Sequence, residues 1–225
     1  MPMATSPRTL ATATSERGEL VLRRRADGAL ELRVNGVFVM DTTRTSTERA
    51  LARAALALKR PHRVLVGGLG LGFTTAELLG DPRVRRVVVA EIEPAVLAWM
   101  SDGTVPGGAR VVGDHRVQVR LGDVRDVVTE QAPASLDAIL LDVDNGPDFL
   151  VLDANAALYR EAFVHACLVR LRPGGVVAVW SSTESPALES VLSHAAGSYA
   201  KRSYQVALGG HPETYTVYSV TAADL

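Results

Sequence analysis

Residues 63–93 read RVLVGGLGLGFTTAELLGDPRVRRVVVAEIE, and this stretch decides the fold. An apolar run stops in a glycine-rich turn, a helical pattern opens at about Phe73, and a second apolar run ends in Glu91 and Glu93. The order strand, glycine loop, helix, strand, acid is the first half of a nucleotide-binding α/β unit. Because the glycine loop lies between a strand and a helix, with an acid roughly 20 residues further on, it predicts a nucleoside-type cofactor rather than a structural turn.

The first two strand ends supply a candidate nucleoside site. Glycine lets the backbone turn sharply and lets a ligand approach it closely. The acid Glu91, at the tip of the second strand, can accept hydrogen bonds from both ribose hydroxyls, and Ile92 can pack on a base. A different interpretation, an acid stabilised by the dipole at the start of a helix, suits Glu93 better than Glu91. The predicted glycine contacts are Gly67, Gly68, Gly70 and Gly72.

The third strand end carries Gly122 and Asp123, followed by Val124. Asp123 can accept a hydrogen bond from an exocyclic amino group of a base, or it can cap the helix that begins at Val124. The two roles can coexist, and the sequence leaves both open. All three residues belong to the predicted cofactor site.

The fourth strand end, residues 140–148, reads LLDVDNGPD and is crowded with carboxylates. This strand is expected beside the first one, where a carboxylate faces the reacting group of a nucleoside cofactor. Asp142 and Asp144 are therefore the candidate catalytic residues, able to hold a cationic substrate or to take a proton from an amine. Oxygen ligands also suit magnesium or calcium, but the loop lacks a calcium-binding pattern and a turn at Asn145-Gly146 explains part of its composition. We predict no metal site.

Composition narrows the classes of protein that remain. The chain has 225 residues, 47% of them hydrophobic, with a formal net charge of -1, so neither nucleic acid nor an anionic membrane is expected as a partner. Its single cysteine, Cys167, excludes an internal disulfide and a cysteine-rich metal site and is expected in the core. No apolar run reaches about 18 residues, and the N-terminus lacks the order of charges and apolar residues of a secretory signal. A cytoplasmic location is expected.

The rest of the chain divides into three parts. Residues 1–17 are rich in Ala, Thr, Ser and Pro and are expected to be disordered. Residues 18–45 predict a small antiparallel β unit, with tight hairpin turns at Asp27-Gly28 and Asn35-Gly36. In residues 46–225 strands alternate with helices, including one long helix at 154–171, which predicts a parallel sheet covered on both faces and two final runs paired antiparallel at one edge.

The chain resembles the spermidine synthase (polyamine aminopropyltransferase) family, from about Leu32 to Ser182. Several segments carry the resemblance: a "DGV"-like hairpin at 35–39, the glycine loop at 64–72, an "EID"-like motif at 89–93, a "DPRV…GD"-like strand at 114–123, the start of the catalytic loop at 140–142 and an "LKPGG"-like turn at 171–175. The resemblance implies a Rossmann-like class I methyltransferase fold, a mostly parallel sheet with an antiparallel edge strand behind a small N-terminal β-hairpin unit.

The resemblance also implies roles for particular residues. Glu91 would bind the ribose, Asp123 would meet the adenine amino group, and Asp142 would deprotonate the attacking amine. The cofactor would be decarboxylated S-adenosylmethionine or S-adenosylmethionine, the substrate a small-molecule amine, the wider process polyamine biosynthesis and the assembly a homodimer.

Three departures from the family pattern concern amine recognition. The family's glycine loop carries an acid where this chain has Gly70, and its Tyr-Gln pair falls on Ser46-Thr47. Its second catalytic acid follows two small residues, whereas Asp144 follows Asp142 after one. The resemblance leads us to expect an aminopropyl transferase. Because of these departures, the alternatives are an S-adenosylmethionine-dependent methyltransferase of an unknown small molecule and a non-catalytic nucleoside-binding homologue.

Overall fold

The computed structural model of the chain describes residues 6–143, 145–208 and 211–223. These residues form a four-stranded sheet near the N-terminus and a seven-stranded sheet that carries the rest of the chain. The predicted fold class, an α/β protein with a small antiparallel unit ahead of a mostly parallel sheet, is confirmed.

The small sheet is a meander whose strands pair in sequence order. Its strands are β1 (Arg8–Ser15), β2 (Gly18–Arg24), β3 (Leu30–Val34) and β4 (Val37–Asp41). The predicted turn at Asn35-Gly36 joins β3 to β4, and both residues have positive φ values, 51° and 77°. A two-residue hairpin turn of this kind needs positive φ at both central positions, which Asn and Gly adopt most readily.

Strand β1 corrects the expectation that residues 1–17 are disordered. Residues 8–15 pair antiparallel with β2, and Leu10, Ala11 and Ala13 pack against the core. Thr and Ser alternate here with small apolar residues, a pattern that is too weak alone but sufficient once a partner strand supplies hydrogen bonds and a surface to cover. Residues 1–5 lie outside the described residues.

The large sheet has the strand order β10-β11-β9-β8-β5-β6-β7. Strands β5 to β9 run parallel to one another, and β11 pairs antiparallel with both β9 and β10, which confirms the predicted antiparallel edge. The strands are β5 (Arg63–Gly67), β6 (Arg86–Glu91), β7 (Val117–Leu121), β8 (Leu136–Leu141), β9 (Leu171–Ser181), β10 (Ala200–Leu208) and β11 (His211–Thr221).

Seven α-helices are present in the described part of the chain: α1 (Ser46–Leu56), α2 (Phe73–Leu79), α3 (Pro94–Ser101), α4 (Gly108–Val112), α5 (Val124–Thr129), α6 (Glu161–Arg170) and α7 (Pro186–Ala196). The prediction of a single helix at 154–171 is wrong. Extended backbone at Arg160 divides it into a 3-10 helix, Asp153–Tyr159, and α6. None of the helices in the described ranges is long and apolar enough to span a bilayer.

Both faces of the large sheet are buried, as its alternating side chains require. Val64 and Val66 of β5 join a core cluster on one face, and Leu65 between them joins the cluster on the other. Leu20 and Leu22 of the small sheet belong to the first cluster, so the small sheet packs on the same side as α1, α2 and α3. The predicted core position of Cys167 is confirmed, and burial raises the pKa of its thiol to about 12.

Strand order reverses between β5 and β8. From β5 the chain moves outward to β6 and β7, then returns to β8 on the other side of β5. Ligands of doubly wound sheets bind beyond the carboxyl ends of the strands at such a reversal. The glycine loop, Glu91, Asp123 and Asp142 follow the ends of β5, β6, β7 and β8 respectively, which brings the four predicted strand-end groups to one edge.

Candidate active site

One cavity at this edge collects most of the predicted site. The predicted residues that line it are Gly68, Gly70, Glu91, Ile92, Gly122, Asp123, Val124 and Asp142. Gly67 and Gly72 are not among its lining residues in the described ranges. Gly67 is buried at the end of β5, and Gly72 precedes α2 with φ 85°, where an added Cβ would lie 2.6 Å from Met100 Cε. Both are packed against neighbouring side chains, and their contact with a cofactor stays a prediction.

The glycine loop is pressed against the end of β8. Gly68 has φ 87°, and a Cβ there would lie 2.1 Å from the backbone oxygen of Asp142. Its N–H donates to the carbonyl of Ala90 at 2.8 Å. Only glycine fits this position, and the close approach fixes the backbone of Asp142 beside the loop.

Glu91 holds the loop from the end of β6. Its side chain is 6% exposed, Oε2 accepts from the backbone N–H of Leu69 at 2.9 Å, and Oε1 accepts from that of Glu93 at 2.7 Å. Burial raises the pKa of Glu91, while these backbone hydrogen bonds oppose the rise. A carboxylate has about four lone-pair sites, so Glu91 keeps acceptor capacity for ligand hydroxyls.

Glu93 is not the simple helix-start acid suggested by sequence. It precedes α3 but makes no capping hydrogen bond with its side chain. Instead, Oε1 accepts from Arg17 Nε at 2.6 Å and from Ser15 Oγ at 3.0 Å, and Arg17 Nη2 donates to the carbonyl of Ile92 at 3.1 Å. The turn between β1 and β2 is thereby attached to the rim of the cavity. This contact was not predictable from the sequence, because Ser15 and Arg17 were expected in a disordered tail.

Asp123 caps α5. Its Oδ1 accepts from the backbone N–H of Arg125 at 2.8 Å, and the Arg125 guanidinium also contacts both carboxylate oxygens. The side-chain hydrogen bonds from Arg125 are the main cause that lowers the pKa of Asp123. The capping role left open by the sequence is therefore present, and Asp123 also lines the cavity.

Asp142 lies on the cavity wall beside the loop. Thr74 Oγ1 donates to Asp142 Oδ2 at 2.7 Å. Burial raises the pKa of Asp142 to about 6, and the Thr74 hydrogen bond partly offsets that effect. A carboxylate with a pKa close to neutrality is suited to accept a proton in a reaction and to release it again. Asp144, the second candidate, lies outside the described residues.

Another buried carboxylate of the cavity, Glu48, was not predicted from the sequence. It lies in the first turn of α1, is 6% exposed and accepts a hydrogen bond from Thr47 Oγ1 at 2.9 Å. Burial is the main cause that raises its pKa to about 7, followed by repulsion from Asp142. An acid in the first turn of a helix normally signals only dipole stabilisation, so no local pattern indicates that this one points into the protein.

The missing acid of the glycine loop has a structural counterpart. Gly70 has φ 49°, and a Cβ there would lie 2.6 Å from Met40 Sδ. The same sulfur accepts from the backbone N–H of Leu71 at 3.2 Å. Met40 of β4 therefore fills the space that a side chain at position 70 would need.

A second cavity adjoins the first. The two share five lining residues, Val39, Met40, Glu48, Asn145 and Trp180. Glu48 and Trp180 thus stand at the wall between the strand-end cavity and a neighbouring space bounded by the small sheet, α1 and β11. Two adjoining compartments therefore lie at this edge of the sheet.

The first cavity fits a nucleoside. At Gly122 no atom lies within 4 Å of where a Cβ would stand, so the backbone after β7 borders open space that a flat base can approach. Glu93 Oε2 is buried and has no hydrogen-bond partner among the described residues, which suits a ligand that brings a hydroxyl. Together with Glu91, these groups form the hydrogen-bond-accepting wall that a ribose requires.

Comparison with known proteins agrees with this architecture. The family model of the spermine/spermidine synthase domain matches residues 45–214. Putrescine N-methyltransferase 4 of Nicotiana tabacum is 31% identical over 153 residues, 67% of this chain and 36% of that protein. Polyamine aminopropyltransferase 2 of Streptomyces coelicolor is 35% identical over 167 residues, 72% of this chain and 29% of that protein. The chain thus spans about a third of the length of these curated relatives.

Solved structures share the fold. A crystal structure of spermidine synthase in complex with the transition state analogue AdoDATO superposes with a TM-score of 0.79 at 18% identity, covering 96% of this chain and 74% of that one. Spermidine synthase from Thermotoga maritima gives a TM-score of 0.76 at 17% identity, covering 96% and 73%.

The Arg17–Glu93 contact generates a first prediction. Replacing Arg17 with Met should weaken binding of methylthioadenosine by about tenfold, or about 1.4 kcal/mol, because Glu93 loses the group that orients it. Isothermal titration calorimetry measures the change. Arg23→Met is the matched control, since Arg23 lies in the same sheet and pairs with Glu31 at 2.7 Å rather than with the cavity rim. Equal affinity of both variants for the nucleoside would contradict the prediction.

Glu48 generates a second prediction, on stability against pH. Its pKa rises from 4.5 to about 7 on folding, so the folded state holds the proton more tightly and the protein loses stability as pH rises between those values. At about 1.36 kcal/mol per unit the loss is up to about 3 kcal/mol. Glu48→Gln should remove it, leaving a variant more stable than the wild type at about pH 8 and equally stable at about pH 4. Urea unfolding at both pH values tests this, and a difference independent of pH would contradict it.

Proposed function

This chain belongs to the spermine/spermidine synthase family, and from that premise we propose that it is a transferase that moves an alkyl group from an adenosyl sulfonium cofactor to an amine. The first candidate is aminopropyl transfer from decarboxylated S-adenosylmethionine. The observation that carries the proposal is the single cavity in which Glu91, Asp123 and Asp142 meet the glycine loop. A homodimer and a cytoplasmic location stay predictions.

The residues of the first cavity would hold the nucleoside. Glu91 accepts hydrogen bonds from the ribose hydroxyls, Ile92 packs on the base, and Asp123 accepts from the adenine amino group. The backbone of Gly68 and Gly70 allows close approach, and Gly122 and Val124 border the base. Gly67 and Gly72 support the loop from outside the cavity.

Asp142 carries the proton chemistry. When bound, the sulfonium supplies an alkyl carbon that bonds to the amine nitrogen while its bond to sulfur breaks, the electron pair staying on sulfur as a neutral thioether. The amine must be neutral to attack, and Asp142 accepts the proton that it gives up. Thr74 holds the carboxylate in one orientation. Glu48 takes up or releases a proton in response to the charge of Asp142. Asp144 is the second candidate for this role.

A specific observation favours methyl transfer from S-adenosylmethionine as a second candidate. Aminopropyl transfer, as the family resemblance implies it, uses an acid in the glycine loop to anchor the cofactor amine. Here that position is Gly70, and Met40 Sδ occupies the adjoining space. Relatives named as putrescine N-methyltransferases and as polyamine aminopropyltransferases match this chain with similar identity. A non-catalytic nucleoside-binding protein is the third alternative.

Calorimetric titration separates these candidates. The purified protein is titrated with S-adenosylmethionine, its decarboxylated form and methylthioadenosine. Preference for the decarboxylated form supports aminopropyl transfer, and preference for S-adenosylmethionine supports methyl transfer. If none of the three binds, the transferase proposal is wrong.

The role of Asp142 makes a third prediction. Asp142→Asn should lower the rate of transfer by about 10²- to 10⁴-fold, the range of general base catalysis, and leave methylthioadenosine affinity within about twofold. In the wild type the rate should fall as pH drops below the Asp142 pKa of about 6, because the protonated carboxyl cannot accept a proton. A fully active variant with an unchanged pH profile would exclude Asp142 as the base.

Glu91 makes a fourth prediction. Glu91→Gln should weaken nucleoside binding at least about tenfold, the worth of one hydrogen bond to a charged group. The amide nitrogen would also face a backbone N–H of Leu69 or Glu93 in place of an acceptor oxygen, so the unfolding midpoint should fall as well. Unchanged affinity in calorimetry would remove Glu91 from the ribose site.

A further inference from the structure

The second cavity shows which kind of amine it can hold. Its volume is about 290 Å³. Aromatic side chains form much of its wall, namely Phe38, Phe149, Trp180 and Tyr215. Trp180 packs edge to face on Tyr215, with 5.1 Å between ring centroids. An apolar chain fits such a wall, so the polar groups between the rings decide what the ends of the ligand must be.

The buried acid on the small-sheet side, Asp41, already has its full set of donors. Its Oδ1 accepts from the backbone N–H groups of Thr43 and Arg44 and from Thr43 Oγ1. Its Oδ2 accepts from Arg25 Nη1 at 2.7 Å and from Arg44 Nη2 at 2.8 Å. Asp41 is 1% exposed. It offers no free lone pair to a cationic ligand.

Two other acids line this cavity, Glu48 and Glu213. Glu48 is on the wall shared with the first cavity, where the charge of Asp142 raises its pKa further. Glu213 is exposed. The buried acid able to serve an amine in this cavity is therefore Glu48, on the side of the first cavity and of Asp142.

Unpaired donors accumulate in the remaining wall. Arg44 Nη1, Trp180 Nε1 and Thr183 Oγ1 are buried and have no hydrogen-bond partner among the described residues. These are three of the six such atoms in the described part of the chain, and all three residues line this cavity. A buried donor without a partner is costly, so a cluster of them indicates a missing acceptor.

We propose that the acceptor of the transferred group is an amine that also carries a carboxylate. The amine lies toward Asp142 and Glu48, and the carboxylate accepts hydrogen bonds from Arg44, Trp180 and Thr183. The proposal rests on the proposed transferase function. A guanidinium is the preferred partner of a carboxylate, whereas the second ammonium of a diamine would bring further donors to three buried donors that already lack a partner among the described residues.

Three amines of equal chain length test the charge of the far end. The protein is saturated with methylthioadenosine and titrated with γ-aminobutyrate, butylamine and putrescine, which end in a carboxylate, a methyl group and an ammonium respectively. We expect γ-aminobutyrate to bind at least about tenfold more tightly than the other two, the worth of one charge-assisted pair. β-Alanine and δ-aminovalerate, each with its matched diamine, extend the series to other lengths.

A matched pair of arginine variants tests whether Arg44 causes the preference for γ-aminobutyrate. Arg44 lies over the Phe38 ring at 5.8 Å and pairs with Asp41 at 2.8 Å; Arg49 lies over the Phe73 ring at 5.8 Å and pairs with Glu77 at 2.8 Å. Arg44→Met should abolish the preference for γ-aminobutyrate, and Arg49→Met should keep it. Thr183→Val, which breaks no ion pair, should reduce the preference severalfold. All three variants should bind methylthioadenosine as the wild type does, which reports an intact fold.

The outcomes separate this proposal from the proposed function. If methylthioadenosine binds the wild type and putrescine binds as tightly as γ-aminobutyrate, the carboxylate proposal is wrong and the transferase proposal stands. The carboxylate proposal is equally wrong if no aminocarboxylate binds, or if Arg44→Met keeps the preference. If the wild type binds no nucleoside, the proposed function fails first and this proposal fails with it.

Discussion

The carboxylate of Glu91 ties two turns of the backbone to the end of β6, and the first cavity depends on that tie. One oxygen accepts from Leu69 in the glycine loop and the other from Glu93 after the strand. The loop is thereby held against β8, where Gly68 leaves no space for a Cβ beside the Asp142 carbonyl. A buried acid is costly unless its lone pairs are satisfied, and here the two backbone hydrogen bonds offset part of that cost while they hold the loop.

The carboxyl groups of the site come from elements that are far apart in sequence. Glu48 from α1 is buried and Asp142 at the end of β8 is partly buried, and loss of hydration favours the protonated form of each. The negative charge of Asp142 adds to the rise in the pKa of Glu48. At the loop itself, Met40 Sδ fills the space that a side chain at position 70 would need, so the loop contributes no side-chain charge there.

The sequence was sufficient for the parts of the fold that local patterns encode. Alternating apolar runs predicted the central strands, and Asn35-Gly36 predicted a hairpin because few other pairs accept positive φ in succession. The strand-end residues Glu91, Asp123 and Asp142 were predictable because parallel strands present their carboxyl ends together. Strand β1 was not, since its stability comes from pairing with β2 rather than from its own composition. Glu48 and Arg17 were not either, because their roles depend on partners that no local spacing reveals.

The bond between Arg17 and Glu93 joins positions 76 residues apart, and this has a consequence for how the protein is made. During synthesis the first hairpin leaves the ribosome well before β6 exists, so its docking partner is absent while it forms. Chains fold from the N-terminus as they emerge, yet this hairpin must wait, undocked, until the core strands of the large sheet have assembled. The rim of the first cavity at Glu93 is therefore completed only after β6 has formed, although the hairpin that docks on it is translated earlier.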